Sequence, residues 1–481
     1  IVDEFKDLQI NLIELHVEIM KMEKYSFLVP SPDCFARCYV NDDVNDVYTI
    51  ARALTKLQVM NGCPQRVFLA GDMSMKVYEM LEQFKKQVGA SYLKADPKYD
   101  EMFIIDRKVD LLTPLASQFY YGGLIDEKFN GEYGYIKLPK DLPLVIDDDK
   151  QEFETLASEE FDEVYSEICS KTVADVATRL SDYKDEIESM EDKMQNSIGT
   201  TQWKVHAKRS QRLAEMKPYV LLHFKLLDKI IHFDRLLKPV MNFEYDSLLM
   251  NEPDIDLLIK MMNRQSTLES LRLLCFMSVT YNGIPSNVLQ KFQRRLVDEY
   301  GYKVAKDLLN LEKSGLLIKM SKVFHRNNLP KLTKINSILN IILNGEKEIL
   351  YDEDGNPIDN PDIGSGYDTY VPILLRFIQK GLENEWESDK LTEKLLTQMK
   401  IPHKVIGEEP VTKYDTNGVV PKRVLVFVIG GITVTESLLL RQMGKILFND
   451  SVEFHVGSTG IINGKSLIKS VCPTINEADN L

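Results

Sequence analysis

No apolar run in the 481-residue chain approaches the ~18 residues that a membrane-spanning helix requires. No signal peptide is visible, but the chain opens at Ile1 without methionine. It reads as if it begins inside a domain, with an N-terminal part preceding it. The Gly-x-Ser-x-Gly elbow of a hydrolase and the His-Glu-x-x-His helix of a zinc protease are both missing. The histidines His16, His206, His223, His232, His325, His403 and His455 form no pair with ligand spacing. His223 and His232 flank an apolar stripe, where a half-buried or surface ring is expected. These absences predict a protein that is not an enzyme and holds no cofactor, no metal and no catalytic residue.

Cysteine is sparse and scattered. Cys63, Cys169, Cys275 and Cys472 stand alone, and Cys275 sits in the apolar run Leu273-Leu274-Cys275-Phe276. This is the usage of reduced core thiols and predicts a cytosolic compartment. Cys34 and Cys38 form the one close pair, two ligands short of a zinc site. Positive charge is also in deficit: 59 basic against 73 acidic residues leave a net charge of −14. Such a surface repels nucleic-acid backbones and anionic headgroups, so nucleic acid is not an expected partner.

What is present has two grammars. Arg66–Ala70 is a short apolar run followed by Gly71-Asp72 and a helical pattern carrying Val77, Met80, Leu81 and Phe84. Strand, glycine turn and helix form the unit of a parallel sheet. A second buried strand, Met102–Ile105, ends at Asp106-Arg107, which can pair at the strand's mouth. From about Phe161 to Leu343 the pattern is helical. Leu213, Met216, Val220, Phe224, Leu227 and Ile231 recur at steps of three and four. Pro218 falls inside that stripe and either kinks one helix or opens a second, giving a hairpin over about 200–240. Further helices are predicted over Asp254–Met262, Leu268–Tyr281, Asn287–Tyr300 and Tyr302–Ser314, with Gly283 and Gly315 as stops. Strands return at Val424–Ile429, before Gly430-Gly431 and a helix, and at Val452–Val456. The fold class is α/β plus all-α: either one sheet drawn from both ends around a helical insertion, or a separate C-terminal α/β domain.

Three motifs touch on ligand chemistry. Gly430-Gly431 follows a buried strand, but Ile432 and Thr435 stand where a dinucleotide fingerprint needs glycine. Gly464-Lys465-Ser466 matches the end of a Walker loop, but Thr459 stands at its first glycine. Both read better as tight turns; a nucleotide-dependent enzyme on a doubly wound sheet is the alternative. Asp352-x-Asp354-x-Asn356 starts like a calcium loop, but Pro357 and Ile363 replace its glycine and its closing glutamate. A surface loop is expected there. One basic stretch stands out: Lys204, His206, Lys208, Arg209, Arg212 and Lys217. It is either a solvated helix face or, with Tyr219 and Leu222 as exposed apolar positions, a docking surface for an acidic partner helix.

Two segments resemble a known family. The first runs from Ile105 to Gln118, with Asp106, Arg107, Asp110, Thr113 and Pro114, and continues through Tyr121 to Glu127. The second is Phe427–Thr433, with Gly430, Gly431, Thr433 and Glu436. Both resemble signatures of the SM (Sec/Munc-like) family of SNARE-binding proteins, apart from Tyr120, where threonine is usual, and Gly122, where glutamate is frequent. Leu268–Leu273, Asn282-Gly283, Tyr300–Tyr302, Leu309–Glu312 and Gly315–Leu317 resemble the vacuolar sorting branch, the SM subunit of the HOPS and CORVET tethering complexes.

The motif residues read as structural, with Thr113 as the N-cap of a helix carrying Pro114 in its first turn. The resemblance implies an arch of three domains: residues 1–92 as the remainder of a first α/β domain, 93–155 and 368–481 as two parts of a second, and 156–367 as a helical third. The third would hold the hairpin near 200–240 and a helical subdomain near 250–345. It also implies SNARE proteins and a helical HOPS/CORVET subunit as partners, and templated SNARE assembly as the function. The implied location is cytoplasmic and peripheral, on late endosome, lysosome or vacuole membranes, with membrane contact indirect through partners. The hairpin, with Lys204, Lys208, Arg212, Lys217, Tyr219 and Leu222, is the expected SNARE surface.

Overall fold

The computed structural model describes residues 17–31, 33–89, 95–129, 135–137, 154–156, 158–196, 203–233, 237–249, 255–262, 266–319, 332–343, 350–351, 357–358, 364–367, 369–384, 386, 389–410, 414–415 and 418–479. The main sheet has seven strands: β1 (Met20–Glu23), β2 (Ser26–Leu28), β3 (Arg66–Ala70), β4 (Glu101–Asp106), β5 (His403–Gly407), β6 (Lys422–Ile429) and β7 (Val452–Ser458). Their order is β1-β2-β7-β6-β4-β3-β5. The five central strands are parallel, and β1 and β5 close the edges antiparallel.

The pairing of β6 with β4, Val428 opposite Ile105 and Val424 opposite Glu101, joins the two ends of the chain in one sheet. The reading of a separate C-terminal α/β domain is therefore wrong. The division at residue 92 does not mark a break in the sheet either. β3 lies beside β4 with Phe68 opposite Phe103, so the residues before and after that point share one core. Strands β3 and β4 are buried at every position. This explains why they read as continuous apolar runs: a parallel strand covered on both faces has no solvent side on which to alternate. The edge strands β1 and β5 are only partly buried, and β2 beside β1 is just three residues long, so none carries such a run and sequence reasoning missed them.

Helices α1 (Cys34–Tyr39), α2 (Asn45–Asn61), α3 (Asp72–Val88) and α4 (Tyr121–Phe129) accompany the first strands. The helical middle follows, with α5 (Glu163–Ile168), α6 (Val173–Asn196), α7 (Trp203–Phe233), α8 (Leu237–Leu248), α9 (Ile255–Met262), α10 (Thr267–Thr280), α11 (Ser286–Tyr300), α12 (Ala305–Ser314) and α13 (Leu332–Leu339). Helices α14 (Ile373–Asn384), α15 (Lys390–Gln398), α16 (Val434–Ile446), α17 (Gly464–Val471) and α18 (Pro473–Asp479) complete the fold. Gly315 ends α12 in the left-handed region at φ 86°, as a helix stop should.

Pro218 lies inside α7, which is a single helix, so the second of its two readings fails. The hairpin is formed instead by α6 packed against α7, and it spans Val173–Phe233 rather than 200–240. Helix α7 tolerates the proline because its burial against α6 and, further along, α4 and α5 offsets one missing N–H donor.

The core beneath the sheet is aromatic. Phe68 and Phe103 stack with ring centres 4.2 Å apart, and Trp386 meets both edge-on while donating its indole N–H to Phe377 O at 2.8 Å. Phe103→Ala should therefore lower the unfolding free energy by about 3–5 kcal/mol in urea titration. A loss below about 1 kcal/mol would mean that this stack is not part of the cooperative core.

Candidate functional site

The signature residues converge on a buried polar junction at the C-terminal ends of β4 and β6. Arg107 is fully buried and gives Nη1 to both carboxylate oxygens of Glu436, at 3.0 and 2.8 Å. Its Nε donates to Asp110 O at 2.8 Å, and Nη2 stands 3.5 Å from the Asp110 carboxylate. Glu436 is the third residue of α16 and forms a capping box with Thr433: Glu436 N donates to Thr433 Oγ1, and Thr433 N to Glu436 Oε2. Burial raises the Glu436 carboxyl above its ordinary range while Arg107 opposes the shift.

Asp106 does not pair with Arg107, contrary to the sequence expectation. It reaches across to the start of α3 and accepts from Met73 N at 2.8 Å and Ser74 N at 2.7 Å. Arg107 lies past the strand end, in the 3-10 turn Arg107–Val109, and turns to Asp110 and Glu436 instead. Gly71, at φ 116°, makes this cap possible, because a Cβ there would lie within 2.4 Å of the Asp106 carboxylate. Thr113 is likewise not a cap. Asp110 performs that role, accepting from Thr113 N at 3.0 Å and Thr113 Oγ1 at 2.5 Å, ahead of a short 3-10 turn containing Pro114. Leu374 N and Tyr370 OH join the same cluster from the α14 side.

The loop after Pro114 anchors the helical middle. Ser117 donates through its N–H and hydroxyl to Glu244 of α8, at 2.9 and 3.1 Å. Arg272 of α10 binds Glu244 at 2.6 Å and Leu115 O. Gln118 Oε1 accepts from Thr435 N at 2.9 Å, at the first turn of α16. Tyr121 of α4 places its hydroxyl 3.0 Å from His223 Nδ1 on α7, and His223 Nε2 meets Asp162 Oδ2 at 2.9 Å. Asp162 also caps α5 through Val164 N and Tyr165 N. His223 is thus a fully buried bridge rather than a half-buried ring. Sequence reasoning missed Glu244, Arg272, Asp162 and His223 as anchors. Arg272 left a readable trace, a lone cation inside Leu271–Leu274.

On the hairpin, the expected surface residues divide. Lys208, Arg212 and Tyr219 are exposed and share one face of α7, at i, i+4 and i+11. Arg212 binds Glu163 at 2.7 Å. Lys217 turns to the other side and binds Glu191 of α6 at 2.9 Å. Leu222 is buried, not exposed, because this half of α7 lies against α4 and α5. Leu221, 53% exposed, and Ile231, 54% exposed, are outward apolar positions instead. The side chains of Lys204, His206 and His232 lie outside the described residues, as does the calcium-like loop at Asp352–Asn356.

The two glycine turns are filled by the chain itself. At Gly430-Gly431 the helix N-terminus that would receive a phosphate holds the Glu436 carboxylate. At Gly464-Lys465-Ser466 the Ser466 hydroxyl is taken up in a capping box with Asn463, and Lys465 faces Glu269 at 3.9 Å. A nucleotide phosphate at either turn would have to displace these groups. Cys34 and Cys38 approach to 3.8 Å near Asp46, whose carboxylate is held by Arg37 and Ser31.

A sequence profile of the Sec1 family matches residues 2–470. The chain belongs to the Sec1 family. Vacuolar protein sorting-associated protein 33A of Rattus norvegicus is 27% identical, over 97% of this chain and 76% of the relative. The vacuolar protein-sorting-associated protein 33 homolog of Arabidopsis thaliana is 26% identical, over 90% of this chain and 72% of the relative. Among solved structures, the Unc18–syntaxin 1 complex from Monosiga brevicollis matches with TM-score 0.64 and 16% identity, over 95% of this chain and 76% of that one. The SM protein Vps45 in complex with the Qa SNARE Tlg2 matches with TM-score 0.61 and 15% identity, over 96% and 77%. The fold is therefore that of SM proteins, and the junction is where this Sec1-family chain joins its sheet to its helices.

Removing one partner of a buried ion pair leaves the other charge uncompensated. Arg107→Ala should cost about 3–5 kcal/mol, and the double variant Arg107→Met with Glu436→Met should cost less than Arg107→Ala alone, measured by urea unfolding. Asp106 supplies a pH test. Burial pushes its carboxyl up to about 7, against the two backbone N–H donors. Over the range from about 4 to about 7 the folded chain then binds a proton that the unfolded chain does not, so this group's contribution to stability falls as pH rises. The stability difference between wild type and Asp106→Asn should narrow across that interval; an unchanging difference would show that the folded carboxylate is already ionised at about pH 4.

Proposed function

We propose that this Sec1-family chain binds SNARE helices along the α6–α7 hairpin and templates SNARE-bundle assembly at endosomal, lysosomal or vacuolar membranes. One observation carries the reading. Helix α7 turns Lys208, Arg212 and Tyr219 outward on one face, with Arg212 also paired to Glu163, while its other sides are committed to α4, α5 and α6. A helix face carrying exposed basic and aromatic positions is suited to receive an amphipathic partner helix. The SNARE complexes of Unc18 and Vps45 support the same reading through shared fold, and the vacuolar sorting relatives support the membrane assignment.

In this reading the chain is a non-enzymatic, cytoplasmic subunit of a HOPS- or CORVET-type tethering complex. A helical partner subunit holds it on the late endosome, lysosome or vacuole, and its membrane contact is indirect. Among the described residues no helix is long and apolar enough to cross a membrane. The helical middle, residues 156–367, belongs to the same proposal as the working domain. The Arg212–Glu163 pair is exposed, so opening it for a partner costs little.

Lys208→Glu combined with Tyr219→Asp should weaken binding of a purified four-helix SNARE bundle about tenfold or more, measured by calorimetry, with an unchanged melting temperature. Equal affinity in the variant would remove this face of the hairpin from the mechanism.

A further inference from the structure

A cavity of about 100 Å³ lies where the β1–β2 hairpin, α4, α5 and α16 meet, apart from the exposed face of the α6–α7 hairpin. It has several times the room that one ordered water needs. Ile125, Val434, Leu438 and Ile461 give it aliphatic walls, and Gly122 lies against Tyr165 and Leu438, where a Cβ would come within 3.4 Å of both side chains. Three carboxylates, Glu23, Asp126 and Glu159, also line it.

The charges around this cavity do not balance. Arg441, its only cation among the described lining residues, gives both terminal nitrogens to Glu159. Glu23 receives only Ser158 Oγ and Glu159 N, each at 3.2 Å. Asp126 receives Asn463 Nδ2 at 2.8 Å. Of the two lysines flanking Glu23 in sequence, Lys21 is turned to Glu160 at 2.8 Å and Lys24 lies 4.8 Å from the centre of the Tyr25 ring. Among the described residues, Glu23 and Asp126 thus border an apolar space without a cation bonded to them, an arrangement that a buried cation would relieve. Burial pushes Glu23 up to about 7, with Glu159 adding to the shift, and raises Asp126 to about 6.

We propose that this cavity receives one basic side chain, lysine or arginine, from a partner polypeptide. Charge complementarity selects the cation: an anion would meet both carboxylates, and a neutral aliphatic group would leave them unpaired. The aliphatic walls suit the methylene stem of such a residue, whose charged end then reaches Glu23 and Asp126. A backbone presented outside the cavity supplies the rest of the contact.

The test uses the whole chain and three probes observed by ligand-detected NMR: Nα-acetyl-lysine amide, Nα-acetyl-arginine amide and the uncharged Nα-acetyl-norleucine amide. A basic probe should bind saturably, about tenfold more tightly than norleucine amide, a difference of about 1.4 kcal/mol. Glu23→Gln and, independently, Asp126→Asn should weaken the basic probe and leave norleucine amide unchanged. Ser437→Leu, which fills the cavity, should abolish binding of all three. Thermal melting identifies any variant that fails to fold, and the remaining variants then decide. No saturable binding, equal binding of norleucine amide, or insensitivity to both charge removals would overturn the proposal. Tighter binding of free cadaverine than of the acetylated amino-acid probes would also overturn it, assigning the site to a small diamine.

Discussion

The ion pair between Arg107 and Glu436 is the constraint on which the rest of the structure depends. Both groups are wholly buried, so neither can be left alone without leaving a bare charge in the core. Each also has a second duty. Arg107 holds the turn after β4 through Asp110, and Glu436 closes the capping box of α16 after β6. The pair therefore ties together two strand ends that lie far apart in the chain, in the place where their sheet pairing alone would leave two loose loops. It also gives α16 an anion at its N-terminus, which is where an α/β sheet otherwise receives a phosphate.

The helical middle hangs from this junction by polar links, not by a continuous core alone. Ser117, Glu244 and Arg272 attach α8 and α10, and Tyr121, His223 and Asp162 attach α7 and α5. Hydrogen bonds between buried groups are directional, so they specify an angle as well as a contact. A hairpin fixed in this manner presents its outer face in a defined orientation. A partner helix docking there would meet a surface that is already ordered, at a small ordering cost.

Legibility in the sequence followed the period of burial. The strands β3, β4 and β6 were readable because each runs through the interior as an apolar stretch, β7 because Val452, Phe454 and Val456 alternate with Glu453 and His455, and α10 to α12 because of their spacing and glycine stops. The edge strands β1 and β5 and the three-residue β2 were not, since partial burial or shortness leaves no such run. Leu222 misled for a related reason. A helix packed on two sides buries two faces, and the single stripe from Leu213 to Ile231 describes only one of them; Ile231 itself ends up outside. Among the signature residues, the sequence carried their identities but not their partners: Asp106 and Arg107 are neighbours in the chain and belong to different clusters.

The sequence alone determined the layout of α/β ends around a helical middle, the scarcity of metal-ligand and nucleophile patterns, and the resemblance that family membership then bore out. These depend on local periodicity and on residue types at fixed spacing, both of which are one-dimensional. Only the tertiary structure decided that both ends share one sheet, that the glycine turns are filled by Glu436 and Ser466, and that Glu23 and Asp126 border a cavity without a cation bonded to them among the described residues. Each of these is a statement about which distant groups meet, and burial energy and electrostatics act on distance in space, not on separation along the chain.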